Sequence, residues 1–165
     1  MSTRSWWCVG LGVSALLTLG GCPQQTVTEI ILDNRDAGVS IVSGDWQTSD
    51  ADNGNGSYGP DFLYLYANRE EIGRVRFTPT IEKTGFYTVS IYWSAENDRT
   101  PAQPVVVHDS NGDTTYTVDL QQNGNRWFEL GRHEFTKGTD GYIEFNTNTE
   151  ADGYCNADAV RLTPV

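Results

Sequence analysis

The sequence predicts an all-β domain, an antiparallel β-sandwich of jelly-roll-like topology with about nine strands. Three observations carry this. Short runs rich in Val, Ile, Thr, Tyr and Phe alternate with turns rich in Gly, Asn and Asp. No helical period appears in any window after residue 22. Asn111-Gly112 stands between two β-rich runs and is the strongest short-range hairpin signal in the chain.

In chain order, TVTEIILDN is the first strand candidate, rich in β-branched residues and ended by the turn formers Asp33 and Asn34. GVSIVSGDW follows, then a loop from Thr48 to Pro60 dense in Gly, Asn and Asp. DFLYLYA and RVRFTPTI are the next candidates. In GFYTVSIYW, Tyr87, Val89, Ile91 and Trp93 make the more apolar of two alternating faces and are expected inside, with Phe86, Thr88, Ser90 and Tyr92 outside. QPVVVHD and TTYTVDLQ form the hairpin, and RWFELGRHEF, GYIEFNTN and NADAVRLTP complete the set.

The stretch from Gln121 to Phe135, QQNGNRWFELGRHEF, poses a facing problem. Strict alternation puts Phe128 and Leu130 on one face but Phe135 on the other. One extra residue at Gly131-Arg132, a β-bulge, would let Phe128, Leu130 and Phe135 line one core face. Trp127 would then point outward beside Glu129, either as a cover for the sheet or as a platform for a sugar ring.

The N-terminus speaks to location. Arg4 gives a short positive region, and an apolar run of about 14 residues from Trp6 to Leu19 has signal-peptide length, short for a membrane span. The run ends in LGGC, which resembles the lipobox of bacterial lipoproteins, cleaved before a cysteine that carries diacylglycerol. The expected division is a signal peptide over 1–21, a lipidated N-terminus and linker over 22–28 and the β-domain over 29–165. Cys22 would anchor the chain to a membrane lipid without spanning. Pro23 in place of Asp favours the outer membrane or cell surface over retention at an inner membrane.

The formal net charge is −11, moving to −12 when Arg4 leaves with the signal. Such acidity excludes nucleic acid as a partner, which needs clustered Lys and Arg. Of three cysteines, only Cys155 would remain free, so no disulfide framework is available, and a buried structural thiol is the expected role.

No catalytic constellation is legible. His108 and Asp109 are neighbours on one strand and face opposite ways, and His133 is distant in sequence. The loop Asp50 to Gly56, DADNGNG, spaces oxygen donors at alternate positions, so Asp50 and Asp52 are weak Ca2+ candidates, but it lacks the downstream Glu of a calcium loop. No other metal or cofactor is expected. Trp46, Tyr58 and Tyr64, aromatics near Gly-rich loops, are expected to share a rim with Asn97 and Arg99 at one end of the sandwich. Arg99 either bonds loop carbonyls or pairs with the carboxylate of an acidic sugar. For the latter, weak and salt-dependent binding is expected.

From Ile31 to Leu162 the chain resembles the golvesin C-terminal-like domain, also found at the end of some xanthan lyases. The matching pieces are ILDNRDAGVSIVSGDW, RVRFTPTIEKTGFYTVSIYW, NDRTPAQPVVVHDSNGDTTYTVDLQQNGNRWFELGRHEF and DGYCNADAVRL. Cys155 stands where the family commonly has an aliphatic residue, and Ser94 where it has Pro. The resemblance implies an exported β-sandwich attached to proteins that handle extracellular polysaccharide, with no catalysis of its own. Trp127 matches a recurrent family position, which favours a scaffold role. The expected function is an exported, lipid-anchored, non-catalytic module binding extracellular or cell-surface polysaccharide. The alternative is a structural or protein-interaction lipoprotein of the cell envelope.

Overall fold

The computed structural model describes residues 28–49, 56–67 and 71–165. Cys22 with its signal-like segment, and the candidate ligands Asp50 and Asp52, lie outside the described residues. Every regular element among them is a strand, twelve in all: β1 (Ile30–Asp33), β2 (Val39–Ser43), β3 (Gln47–Thr48), β4 (Leu63–Tyr66), β5 (Arg74–Phe77), β6 (Gly85–Tyr92), β7 (Gln103–Asp109), β8 (Gly112–Val118), β9 (Phe128–Phe135), β10 (Tyr142–Asn146), β11 (Tyr154–Ala157) and β12 (Ala159–Pro164). The expected all-β antiparallel class holds. The ten runs quoted above give twelve strands because the last, NADAVRLTP, divides at Asp158 between two sheets, and because a two-residue strand, β3, pairs with β4.

A four-stranded sheet in the order β1-β12-β6-β9 and a five-stranded sheet β2-β5-β10-β7-β8 enclose the core, and a three-stranded sheet β11-β4-β3 continues beside them. Val89, Ile91 and Tyr87 of the first sheet and Trp93 just after β6 are buried, as are Val75, Phe77, Val105, Val107, Ile143 and Phe145 of the second. Removing this apolar surface from water is the main stabilising term, at about 25 cal/mol per Å².

The bulge in β9 is present. Val89 pairs with Gly131 but Ser90 pairs with Glu129, so Leu130 is the extra residue, one position before the expected Gly131-Arg132. Gly131 takes φ +153°, a conformation that side chains avoid. The insertion brings Phe128, opposite Ile91, and Phe135, opposite Gly85, to the same face. Phe135 is fully buried, whereas Phe128 and Leu130 are half-buried and pack on the margin of the core. The β7–β8 hairpin also forms, with Ser110 and Asn111 as turn residues, one position earlier than Asn111-Gly112.

His133 turns out to be the partner of Asp109. Its Nδ1 lies 2.9 Å from Asp109 Oδ2 and its Nε2 2.9 Å from the Tyr116 hydroxyl, so a buried polar chain ties β9 to β7 and β8 across the two sheets. Burial opposes ionisation of Asp109, but the Asn111 amide and His133 outweigh it and hold the carboxyl below its ordinary value. His108 instead pairs with Asp113 and stacks on Tyr142.

These depths predict an order of stability loss. Phe135→Ala is expected to cost about 3–5 kcal/mol in urea unfolding, and Phe128→Ala clearly less, since part of its ring stays in water. A Phe128 loss equal to or above that of Phe135 would overturn this assignment of depth.

Candidate functional site

The short third sheet sorts its side chains by strand alternation. Leu63, Cys155 and Ala157 are buried and Leu65 packs against the core, which sends Tyr64, Tyr66 and Tyr154 to the opposite face. The register sets Tyr154 directly opposite Tyr66. Ring centroids stand 5.1 Å apart between Tyr66 and Tyr154, 5.6 Å between Tyr64 and Tyr154, and 6.3 Å between Phe62 and Tyr64, all edge to face. Tyr66 is 48% exposed, Tyr64 and Tyr154 are half-buried, and Phe62 is buried at the end of the row.

Arg99 and Asp98 close that end. The Arg99 guanidinium lies 5.3 Å from the Phe62 ring centre, and its Nη1 donates to Asp98 Oδ1 at 2.6 Å. Arg99 is only 9% exposed, while the Asp98 side chain is 60% exposed. The loop is stitched to β11: the Tyr154 amide donates to the Asp98 carbonyl at 2.9 Å and the Thr100 amide to the Tyr154 carbonyl at 3.0 Å. Gln121 Nε2 donates to the Arg99 carbonyl at 2.9 Å. Gly153 is required by this close approach, because a Cβ there would lie 2.6 Å from the Arg99 backbone. Phe62, Tyr64, Asp98, Arg99 and Tyr154 line a cavity of about 250 Å³.

The expected rim is therefore split. Tyr64 and Arg99 do meet at this cavity, and Asn97 lies exposed in the Arg99 loop but does not line it. Trp46 is a correction: it is 6% exposed, packs in the core and donates from Nε1 to the Ser43 carbonyl at 3.1 Å, so it has no free face for a sugar. Tyr58 belongs to a different cluster. Its ring is 4.9 Å from Trp127 and 5.7 Å from Tyr92, on the outer side of the four-stranded sheet. Trp127 does point away from the core, but Tyr58, Tyr92 at 5.5 Å and the Arg161 guanidinium at 4.7 Å surround it. A ring packed on these sides pins the loop that carries Tyr58 to the sheet. Sequence reasoning missed Tyr66, Tyr154, Phe62 and Asp98. The alternation in LYLY signalled the first, but the pairing of β11 with β4 is not local information.

The Tyr58 loop is also held from beneath. Its amide donates to both Asp158 oxygens, at 3.1 and 3.3 Å. Asp158 is fully enclosed, and burial, with Asp33 adding, pushes its carboxyl up to about 8. Cys155, likewise enclosed, is pushed by burial up to about 12, which makes it an inert thiol. Among the described residues, no group of three or more His, Cys, Asp or Glu side chains is arranged to hold a metal ion.

An antiparallel sandwich with an aromatic outer face beside its core defines a β-sandwich module. Residues 30–164 match the Golvesin C-terminal domain, and the chain belongs to that family. It is similar to a Paenibacillus xanthan lyase, with 34% identity and a TM-score of 0.76, over 84% of this chain but only 13% of that one. A family 35 carbohydrate binding module from Clostridium thermocellum shares 16% identity and a TM-score of 0.56, over 81% of this chain and 98% of that one. The Podospora anserina GH26-CBM35 β-(1,4)-mannanase shares 15% identity and a TM-score of 0.58, over 83% and 28% of the two chains. The last two likenesses speak to the fold alone. Among curated proteins none matches the chain.

The Asp158 environment predicts a pH dependence. Below about pH 4 the carboxyl is protonated in both folded and unfolded chains, so it contributes nothing. As pH rises from 3.8, its ordinary value, to about 8, the unfolded chain releases the proton and the folded one retains it, so stability falls across that window and levels above it. Asp158→Asn keeps a neutral acceptor for the Tyr58 amide. It is expected to be more stable than the wild type at pH 8, by on the order of a few kcal/mol, and no different at pH 4. Urea unfolding at the two pH values measures this; an equal or lower stability of the variant at pH 8 would contradict it.

Proposed function

We propose that the chain is an exported, lipid-anchored, non-catalytic module that binds extracellular or cell-surface polysaccharide through the tyrosine face of β4 and β11. The observation that carries the reading is the row Tyr64–Tyr154–Tyr66, open to solvent and ending at a cavity with one donor group and one acceptor group. Sugar rings present C–H faces that pack on aromatic surface and hydroxyls that need fixed polar partners, and this face supplies both. The kinship with a domain that accompanies a xanthan lyase supports the same class of ligand. A glycosidase needs two carboxyl groups flanking the substrate, one held protonated. Asp158 is held protonated but is fully enclosed and reaches no substrate, which supports a binding role without hydrolysis. Export and anchoring rest on the N-terminal run and LGGC, with Cys22 as the lipidated residue and the cell envelope, at the outer membrane or surface, as the location.

Affinity electrophoresis against a panel of soluble polysaccharides tests the binding face. Tyr66→Ala and Tyr154→Ala should each weaken binding about tenfold, the equivalent of one ring contact. Trp127→Ala should lower unfolding stability and leave affinity unchanged. Loss of binding in the Trp127 variant alone would move the site to the other sheet. For the anchor, Cys22→Ser should shift the protein from membrane to soluble fractions, and a variant that stays membrane-bound would remove the lipoprotein reading.

A further inference from the structure

Building on the polysaccharide reading of the tyrosine face, we propose that its ligand is a neutral polysaccharide, read by Asp98 and Arg99 as a hydroxyl-binding pair, and that acidic polymers are rejected. Arg99 alone suggests the opposite, since a guanidinium is a natural partner for a carboxylate. Its surroundings reverse that. The loop 94–100 carries exposed Glu96 and Asp98 beside Arg99, and Asp152 lies exposed in 147–154. The guanidinium already donates to Asp98 at 2.6 Å and is nine-tenths buried against Phe62. An incoming carboxylate would have to displace Asp98 or stand beside it, in a protein of net charge −11.

A neutral sugar meets no such conflict. Neighbouring hydroxyls each donate and accept, so one can give its proton to the exposed Asp98 carboxylate while the next accepts from the guanidinium, and the pair stays intact. The cavity of about 250 Å³ falls just under the range of about 300–1,000 Å³ typical of small-molecule sites. It therefore holds a single ring of a chain whose remaining units lie along Tyr154 and Tyr66. Recognition by hydroxyl bonds and ring packing, without net charge, is insensitive to salt.

Affinity electrophoresis and titration calorimetry of the protein with a neutral galactomannan, glucomannan and xyloglucan, and with polygalacturonate and alginate, test this at low and high salt. The expected result is binding to at least one neutral polymer, unchanged by salt, and none to either acidic polymer at low salt. Asp98→Asn, an exposed substitution that leaves Arg99 in place, should weaken neutral binding about tenfold and create salt-sensitive binding to an acidic polymer. Wild-type binding that is tighter to an acidic polymer and falls with salt would overturn this inference while leaving the polysaccharide reading standing. No binding to any polymer would overturn that reading and this inference with it. The wild-type salt comparison stands independently of any variant.

Discussion

Much of this domain depends on how one stretch of chain passes from one sheet to another at Asp158. β11 pairs with β4, and β12, starting one residue later, pairs with β1 and β6. A strand that changes sheets inside a protein leaves backbone groups without ladder partners, and each must be matched because water cannot reach it. Gln103 matches them: its amide oxygen accepts from the Asn156 amide at 2.8 Å and its Nε2 donates to the Asn156 carbonyl at 2.9 Å. Asn156 Nδ2 reaches the Ser94 carbonyl, and Asp158 takes the Tyr58 amide. Thus β7, the segment after β6 and the Tyr58 loop are all tied to the crossing, and the tyrosine face follows from where β11 is left.

The class of fold was legible because strand alternation is local: Val89 and Ile91 are buried as their spacing requires. The bulge was legible for the same reason, since Phe128 and Phe135 cannot share a face without an inserted residue. Its position slipped by one because Leu130, Gly131 and Arg132 all satisfy that count, and only the pairing to β6 chooses Leu130. The extra strands were not legible. NADAVRLTP reads as one run, and its division depends on β4, about ninety residues earlier in the chain.

The site was legible in part. Arg99 and Tyr64 could be picked out as polar and aromatic groups near loops, and they do share a cavity. Trp46 was attractive as an aromatic near a Gly-rich loop and Trp127 as an outward ring beside Glu129, but a large ring is also a good packing residue. What decided each case was coverage: Ser43 and the core enclose Trp46, and two tyrosines and Arg161 close around Trp127. Coverage depends on distant segments and leaves little trace in sequence. Asp98 was passed over for a similar reason, as its meaning comes from the arginine beside it and the aromatic rings behind both.

The direction of β12 has a consequence for presentation. The chain emerges into β1 next to the end of β12, where Glu29 accepts from the Thr163 hydroxyl at 3.0 Å, and the tyrosines lie beyond the beginning of β12. The six residues of β12 separate the two, roughly 20 Å. Whatever precedes Thr28 is therefore attached at the pole opposite the aromatic row. A tether placed there would act as a stalk under a cup, leaving the aromatic row facing away from its support.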